Sequence, residues 1–375
     1  MVHQNFYRER QVKFQVGEAF YNPQSKWIRD LGVLAAKVYK QQRGMLRVLD
    51  ALGGCGVRSL RYWQESQADY IWLNEGNPEH NSIIQKNLAP AIAVSSCRIT
   101  HQDAHRVFFN CYARRDYYDL VDVDCFGSAM SYLNAMLWAT KIDGLMYLTS
   151  TDGRTLTGHP PQKTVQTYGA IARSHPARHE QALRLLIGST QQQAASRGLG
   201  IEPIFSLFTG QTYRLMMRLV SKPRISESNY GFLAYCHHCG NYQTLTWRKL
   251  NKVGCSCKNS SVTVSGAMWL GRLHDPQQLK SYLQLAQQWG WHKIADWLNT
   301  AIAETDLPPY FYTLQEIGTR GKLDLPKRAF IIQALQERGY QAAVTHINPQ
   351  GIKTNADLQT CISIVRQHGQ LTNDN

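Results

Sequence analysis

From about residue 44 onward, short apolar runs alternate with amphipathic stretches, the pattern of strands interleaved with helices in an α/β sheet. Leu46–Leu49 predicts a first strand, and Gly53-Gly54-Cys55-Gly56 follows it. A helix is predicted over about Val57–Glu65, then a strand over Tyr70–Asn74. Asn77–Leu88 reads as a helix with Pro78 in its first turn, where a missing amide is tolerated. Cys97–Thr100 and Tyr118–Val123 are the third and fourth strands, Ser131–Thr140 a helix and Leu145–Leu148 a fifth strand. A long helix covers about Pro176–Arg197. The runs Ile201–Leu207 and Tyr213–Val220, separated by a short Gly-containing turn, predict an antiparallel pair.

Beyond this point the pattern changes. Helices are expected over Pro276–Trp289 and His292–Glu304, and Pro308-Pro309 breaks the chain. Helices over Leu314–Thr319 and Lys327–Arg338 precede a strand, turn and strand in Ala342–Thr354, a winged-helix-like order. We expect three units: residues 1–222, an insertion at 223–265, and a C-terminal α+β module at 266–375.

No apolar run reaches the roughly 18 residues that a membrane span needs. The polar start Met1-Val2-His3 has no signal-peptide pattern, so a cytoplasmic location is expected. The charge is uneven. The chain has 41 basic and 27 acidic residues, yet residues 151–260 alone hold 14 basic and 4 acidic. Such a concentrated excess suits a polyanion, most simply nucleic acid. Arg173, Arg178, Arg184, Arg214, Arg218, Lys222 and Arg224 are candidates for an RNA backbone, and no protein partner is required.

In an open α/β sheet, ligands bind beyond the C-terminal strand ends. Here each of those ends carries a group suited to part of a nucleoside. Asp50 closes the first strand, and the glycines, Gly54 and Gly56 among them, let the backbone pass close to a ligand. Glu75 can accept from ribose hydroxyls, Asp103 from an adenine amino group, and the Ala104 amide can donate to a ring nitrogen. A dinucleotide-binding domain shares the glycine loop and the second acid. The acid after strand three and the antiparallel hairpin favour an S-adenosylmethionine-dependent methyltransferase of the Rossmann-like class instead.

Strand four ends on Asp122-Val123-Asp124-Cys125-Phe126-Gly127. A base's exocyclic amine is a weak nucleophile because its lone pair is delocalised into the ring. Asp124 at the strand tip could hydrogen-bond that N–H and stabilise the charge that forms, while Phe126 offers a face for an extruded base. We therefore assign Asp124 and Phe126 to the chemistry.

These motifs, in this order, resemble the tRNA guanine-N2-dimethyltransferases, which act on the guanine at position 26. The resemblance rests on Phe20-Tyr21-Asn22-Pro23, Arg29-Asp30, Gly56-Val57-Arg58-Ser59-Leu60-Arg61, Trp72-Leu73-Asn74-Glu75, Asp103-Ala104 and Asp122–Ser128. It continues through Thr151-Asp152-Gly153, His159-Pro160 and Thr345-His346-Ile347-Asn348-Pro349-Gln350-Gly351-Ile352-Lys353-Thr354. It implies that Arg29, Arg58, Glu75, Asp103 and Ala104 contact S-adenosylmethionine, that Asp124 is the catalytic carboxylate, and that Phe126 is a stacking wall. Cys125 stands where the family has proline, and Glu75 where it has aspartate. We read Cys125 as a small residue, not a nucleophile, because the attacking group belongs to the substrate.

Five of the nine cysteines are scattered; the other four form Cys236-x2-Cys239 and Cys255-x-Cys257, separated by 15 residues. This is close to a four-cysteine zinc ribbon, with His237 or His238 as possible replacements for one ligand. A closed structural zinc (Zn2+) that shapes the insertion is expected.

Overall fold

The computed structural model describes residues 6–373, apart from Ser256 and residues 258–261. An N-terminal hairpin of β1 (Phe6–Glu9) and β2 (Val12–Gln15) leads into α1 (Lys26–Arg43). The sheet domain then runs β3 (Arg47–Asp50), α2 (Val57–Gln64), β4 (Tyr70–Asn74), α3 (Asn81–Ala93), β5 (Cys97–Thr100), α4 (Ala104–Arg114), β6 (Tyr118–Val123), α5 (Met130–Ala139) and β7 (Thr140–Ser150). After α6 (Gly153–Leu156), α7 (Pro161–Tyr168) and α8 (Arg178–Ala195), the strands β8 (Gly200–Phe208) and β9 (Tyr213–Val220) close it.

The seven strands lie in the order β5-β4-β3-β6-β7-β9-β8. β3 to β7 are parallel, and β9 pairs antiparallel with both β7 and β8, as the two apolar runs predict. The order reverses between β3 and β6, so a crevice opens there at the C-terminal ends. β6 is buried at all six positions, as expected of a strand covered on both faces. One face packs α4, α5 and α8 around Phe108, Leu133 and Leu186; the other packs α1 and α2 around Leu34 and Leu60.

Two elements start differently from expectation. Pro78–His80 forms a separate 3-10 turn capped by Asn77, and α3 proper begins at Asn81. The fifth strand is longer than its apolar run because β7 begins at Thr140, where α5 ends.

The insertion is a three-stranded antiparallel sheet, β11 (Tyr242–Leu245), β10 (Tyr230–Cys236) and β12 (Val262–Trp269), with β10 central. The expected boundary at residue 265 falls inside β12. α9 (Pro276–Gln288) and α10 (His292–Ala303) follow. Leu279, Ile294 and Leu298 join the core beneath α1. This helix pair therefore covers the sheet domain. The terminal module comprises β13 (Tyr312–Thr313), α11 (Leu314–Gly321), α12 (Arg328–Glu337), β14 (Ala342–Val344), β15 (Gly351–Thr354) and α13 (Leu358–Asn373). Its sheet order is β13-β15-β14, so the helix, helix, hairpin order is present. Among the described residues, no helix is long and apolar enough to cross a membrane.

Candidate active site

The strand ends after β3, β4 and β5 are knitted together by one buried amide that sequence reasoning passed over. Asn74 Nδ2 donates to Ala51 O at 3.2 Å and to Gln102 O at 2.9 Å, and its Oδ1 accepts from Gln102 N. The loops carrying Gly53–Gly56, Glu75 and Asp103 thus form one rim. The glycines are needed there. A Cβ on Gly53 would meet Leu73 Cγ at 2.6 Å, and Gly56 has φ +84°, a conformation that disfavours other residues. Gly54 N and Asn77 N donate to opposite oxygens of Glu75, which fixes its carboxylate at the lip of the loop. Asp103 caps α4 through His105 N, with its side chain 71% exposed. The Ala104 amide belongs to the first turn of α4, where a helix leaves N–H groups without acceptors.

Asp50 is placed differently. It is fully buried, accepts from Ser59 Oγ at 2.8 Å, and pairs in register with Asp122 of β6. Burial, then the neighbouring Asp122 charge, pushes its carboxyl upward. Arg29 is engaged inside the protein: Nε and Nη2 bind Glu9, and Nη2 also donates to Asn22 O at 3.0 Å. Glu9 in turn accepts from Arg61, so the N-terminal hairpin is locked to α2 by buried ion pairs.

Arg58 bridges the two β6 acids, with Nη1 3.0 Å from Asp122 Oδ2 and Nη2 2.6 Å from Asp124 Oδ2. On the other oxygen, Arg214 Nη2 lies 3.1 Å from Asp124 Oδ1, and Arg214 Nη1 donates to Thr149 Oγ1 at 2.7 Å. Burial alone would raise the Asp124 carboxyl, but Arg214 and Arg58 outweigh it and hold the group well below the usual carboxylate range. Asp124 is ionised at neutral pH, and 27% of its side chain faces solvent.

The loop after Asp124 is pinned to the end of β7. Cys125 Sγ donates to Thr149 O, Gly127 N donates to Thr151 Oγ1, and Thr151 N donates to Gly127 O at 2.9 Å. Burial pushes the Cys125 thiol up to about 12, so it stays protonated. Phe126 projects outward, 73% exposed, and meets Phe20 edge to face at 5.2 Å, itself 68% exposed. Two bare aromatic rings beside an ionised carboxylate are an unusual surface. Phe20 lies in the Phe20-Tyr21-Asn22-Pro23 motif, which carried no role in the sequence alone.

A family model described as N2,N2-dimethylguanosine tRNA methyltransferase matches residues 4–366. The chain belongs to this family. It is 28% identical over 366 residues to a tRNA (guanine(26)-N(2))-dimethyltransferase of Pyrococcus abyssi, covering 92% of both chains. It is 31% identical to the protein of that name from Pyrobaculum calidifontis, covering 96% of each. The solved complex of Trm1 from Pyrococcus horikoshii with S-adenosyl-L-methionine superposes with a TM-score of 0.82 at 26% identity, spanning 96% of this chain and 99% of that one.

The expected RNA-contacting list needs correction. Arg184 is buried against Glu180, and Arg214 is the buried partner of Asp124, so neither lies on a surface. Arg173, Lys222 and Arg224 are exposed, and Arg224 pairs with Glu202.

Two other side-chain clusters stand out. Cys236, Cys239, Cys255 and Cys257 bring their sulfurs within 4.8 Å of one another. The second joins the Thr345–Thr354 motif to the catalytic domain. Glu304 accepts from His346, His274 lies 3.9 Å away, and Lys353 sits 2.8 Å from Glu180 and 3.7 Å from Glu304. His274, Glu304 and His346 could in principle ligate a cation. Lys353 already supplies a positive charge there, so this is an internal ion network.

Proposed function

We propose that this protein transfers methyl groups from S-adenosylmethionine to the exocyclic N2 of guanine 26 in tRNA, giving N2-methyl- and N2,N2-dimethylguanosine. The observation that carries the reading is Asp124: an ionised carboxylate held by two guanidiniums at the tip of β6, beside the exposed pair Phe20 and Phe126. Family membership makes the substrate a tRNA guanine, and the site supplies what that amine requires.

The donor brings an electrophilic sulfonium methyl when bound. Glu75 would take its ribose hydroxyls, with Asp103 and the Ala104 amide on the adenine edge; the pinned Glu75 and the crowded glycine loop fit such a group. Arg58, fully engaged by Asp122 and Asp124, acts as support for the acids, and Arg29 reaches a ligand only through the one nitrogen that Glu9 leaves free. Asp124 accepts the N–H of the guanine amine. Held ionised, it is a weak base. Its work would be to orient the amine and stabilise the positive charge on nitrogen as the C–N bond forms and the donor's S–CH3 bond breaks, with S-adenosylhomocysteine leaving and the surplus proton released. Phe126 and Phe20 grip an extruded base, because every base presents a π-face.

The four cysteines fit a structural zinc. Sulfurs 3.7 Å apart (Cys236–Cys257) and 3.2 Å apart (Cys239–Cys255) approach the edges of about 3.8 Å of a tetrahedral site with Zn–S near 2.3 Å. Such a site would fix β10 against the loop before β12. The basic excess of residues 151–260 supports salt-sensitive binding of the tRNA backbone.

Nucleoside mass spectrometry tests the reading. Purified protein, S-adenosylmethionine and a tRNA transcript should yield both methylated guanosines, and a G26-to-A transcript should yield neither. Binding without product would favour a non-catalytic RNA-binding protein, and product at another base would favour a different nucleic-acid target.

A further inference from the structure

We propose that Arg214 is a positioning residue for methyl transfer: it grips Asp124 Oδ1 while Arg58 grips Oδ2, and so fixes the direction in which the carboxylate meets the substrate amine. This rests on the reading of Asp124 given above.

Arg214 is 3% exposed. Burying a guanidinium costs several kcal/mol unless its partners compensate, and here they do so incompletely: Nε has no partner among the described residues. A sheet strand that needed only packing would carry an apolar residue at this place, as its neighbours Leu215, Met216 and Met217 do. Register explains how the charge arrives. β9 runs antiparallel to β7 with Arg214 opposite Thr149, so its fork reaches both the Thr149 hydroxyl and Asp124. The Thr149 carbonyl holds Cys125. One strand pair therefore clamps Asp124 and the residue after it. A carboxylate bound on both oxygens cannot rotate about Cβ–Cγ, which leaves its remaining lone pairs preset.

The charge balance makes Arg214 more than a duplicate of Arg58. Around Asp124 stand Asp122 on β6, Asp50 on β3, Arg58 on α2, Tyr147 on β7, the adjoining Cys125, and Arg214 on β9. Arg58 is shared between Asp122 and Asp124, whereas among the described residues Arg214 lies within ion-pair distance of Asp124 alone. Without Arg214, three carboxyls crowd one guanidinium. Asp124 then takes a proton more readily, and its aim loosens.

The test compares Arg214→Gln, Arg214→Lys and Asp124→Asn in the full-length protein, with S-adenosylmethionine and a tRNA transcript, from pH 5.5 to 8.5. Arg214→Gln should lower kcat about 100-fold, the effect of losing one preorganised electrostatic contact, with KM values within about threefold. The wild-type rate should be flat down to pH 5.5, whereas in Arg214→Gln, where Arg58 alone opposes burial, an acid limb should enter this range. Arg214→Lys should restore the flat pH profile but only part of kcat, because one ammonium cannot hold Asp124 and Thr149 together. A folded Arg214→Gln with wild-type kcat and pH profile, beside an inactive Asp124→Asn, overturns this proposal alone. Should the glutamine variant not fold, a lysine variant with unaltered kcat at every pH overturns it equally. An active Asp124→Asn overturns the underlying reading of Asp124 as well.

Discussion

Two of the molecule's ion networks surround a carboxylate with cationic side chains and differ in what they can do. At the tip of β6, Asp124 sits between Arg58 and Arg214; at the join to the terminal module, Glu304 sits among His346, His274 and Lys353. In both, burial opposes ionisation and neighbouring cations outweigh it, so both carboxylates are held well below their ordinary range. They differ in access. Glu304 is 1% exposed, and its partners His274 and Lys353 are as deeply buried, whereas Asp124 keeps 27% of its side chain open beside two bare phenyl rings. Charge arranged behind a closed wall joins domains. The same charge at an open rim, with unused lone pairs, can meet a substrate.

Matched amide substitutions should break the likeness most sharply. Asp124→Asn should lower kcat by about 10³-fold or more per folded molecule, with tRNA affinity by filter binding nearly unchanged, and should also cost stability because it leaves Arg214 buried without its carboxylate. Glu304→Gln should cost stability alone. Removing one charge from a closed network costs about 3–5 kcal/mol, read as a lower urea midpoint, while kcat per folded molecule stays the same. Equal losses of activity in the two variants at equal stability would erase the distinction.

Acid should separate the two networks next. Burial, then His346, keeps His274 uncharged well below its usual 6.5, whereas in the unfolded chain it titrates near 6.5. The unfolded state therefore binds more protons below that value. The contribution of His274 is full above pH 6.5 and falls away as pH drops beneath it. Asp124 remains ionised over the same range, so initial rates at pH 5.5 should hold while the urea midpoint has already declined. A rate that falls in parallel with stability would contradict this order of loss.

The smallest expected effect concerns the rings. Phe126→Ala should reduce kcat/KM for tRNA about tenfold, in line with about 1–3 kcal/mol for a stacked base, and Phe126→Tyr should recover most of it. An alanine variant indistinguishable from wild type would remove the base-gripping role.

The sheet was legible because its inner strands are buried on both faces and read as plain apolar runs, while the edge strand β5, half-buried throughout, gave a weaker signal. Tyr70–Asn74, Cys97–Thr100, Tyr118–Val123 and Tyr213–Val220 are found where the pattern put them. The acids of the rim could be seen because each follows such a run. Long-range pairing was not visible. Arg214 and Arg184 looked like members of a basic surface, since nothing local marks a guanidinium whose partner lies on another element; Glu180, four residues before Arg184, was a signal that could have been used. α1 was missed although Leu31, Leu34, Ala35 and Val38 fall at helical spacing, because Arg29 and Asp30 break its apolar face and are buried in ion pairs instead. Phe20 gained a role only when the fold brought it against Phe126.

Arg214 is synthesised after β7 and β8, long after the glycine loop, Glu75, Asp103 and Asp124 have left the ribosome. Without β9 the Asp124 carboxylate would be tethered through Oδ2 alone, by Arg58. Because β9 lies between β7 and β8, the grip on Asp124 Oδ1 depends on the strand that seals the antiparallel end of the sheet.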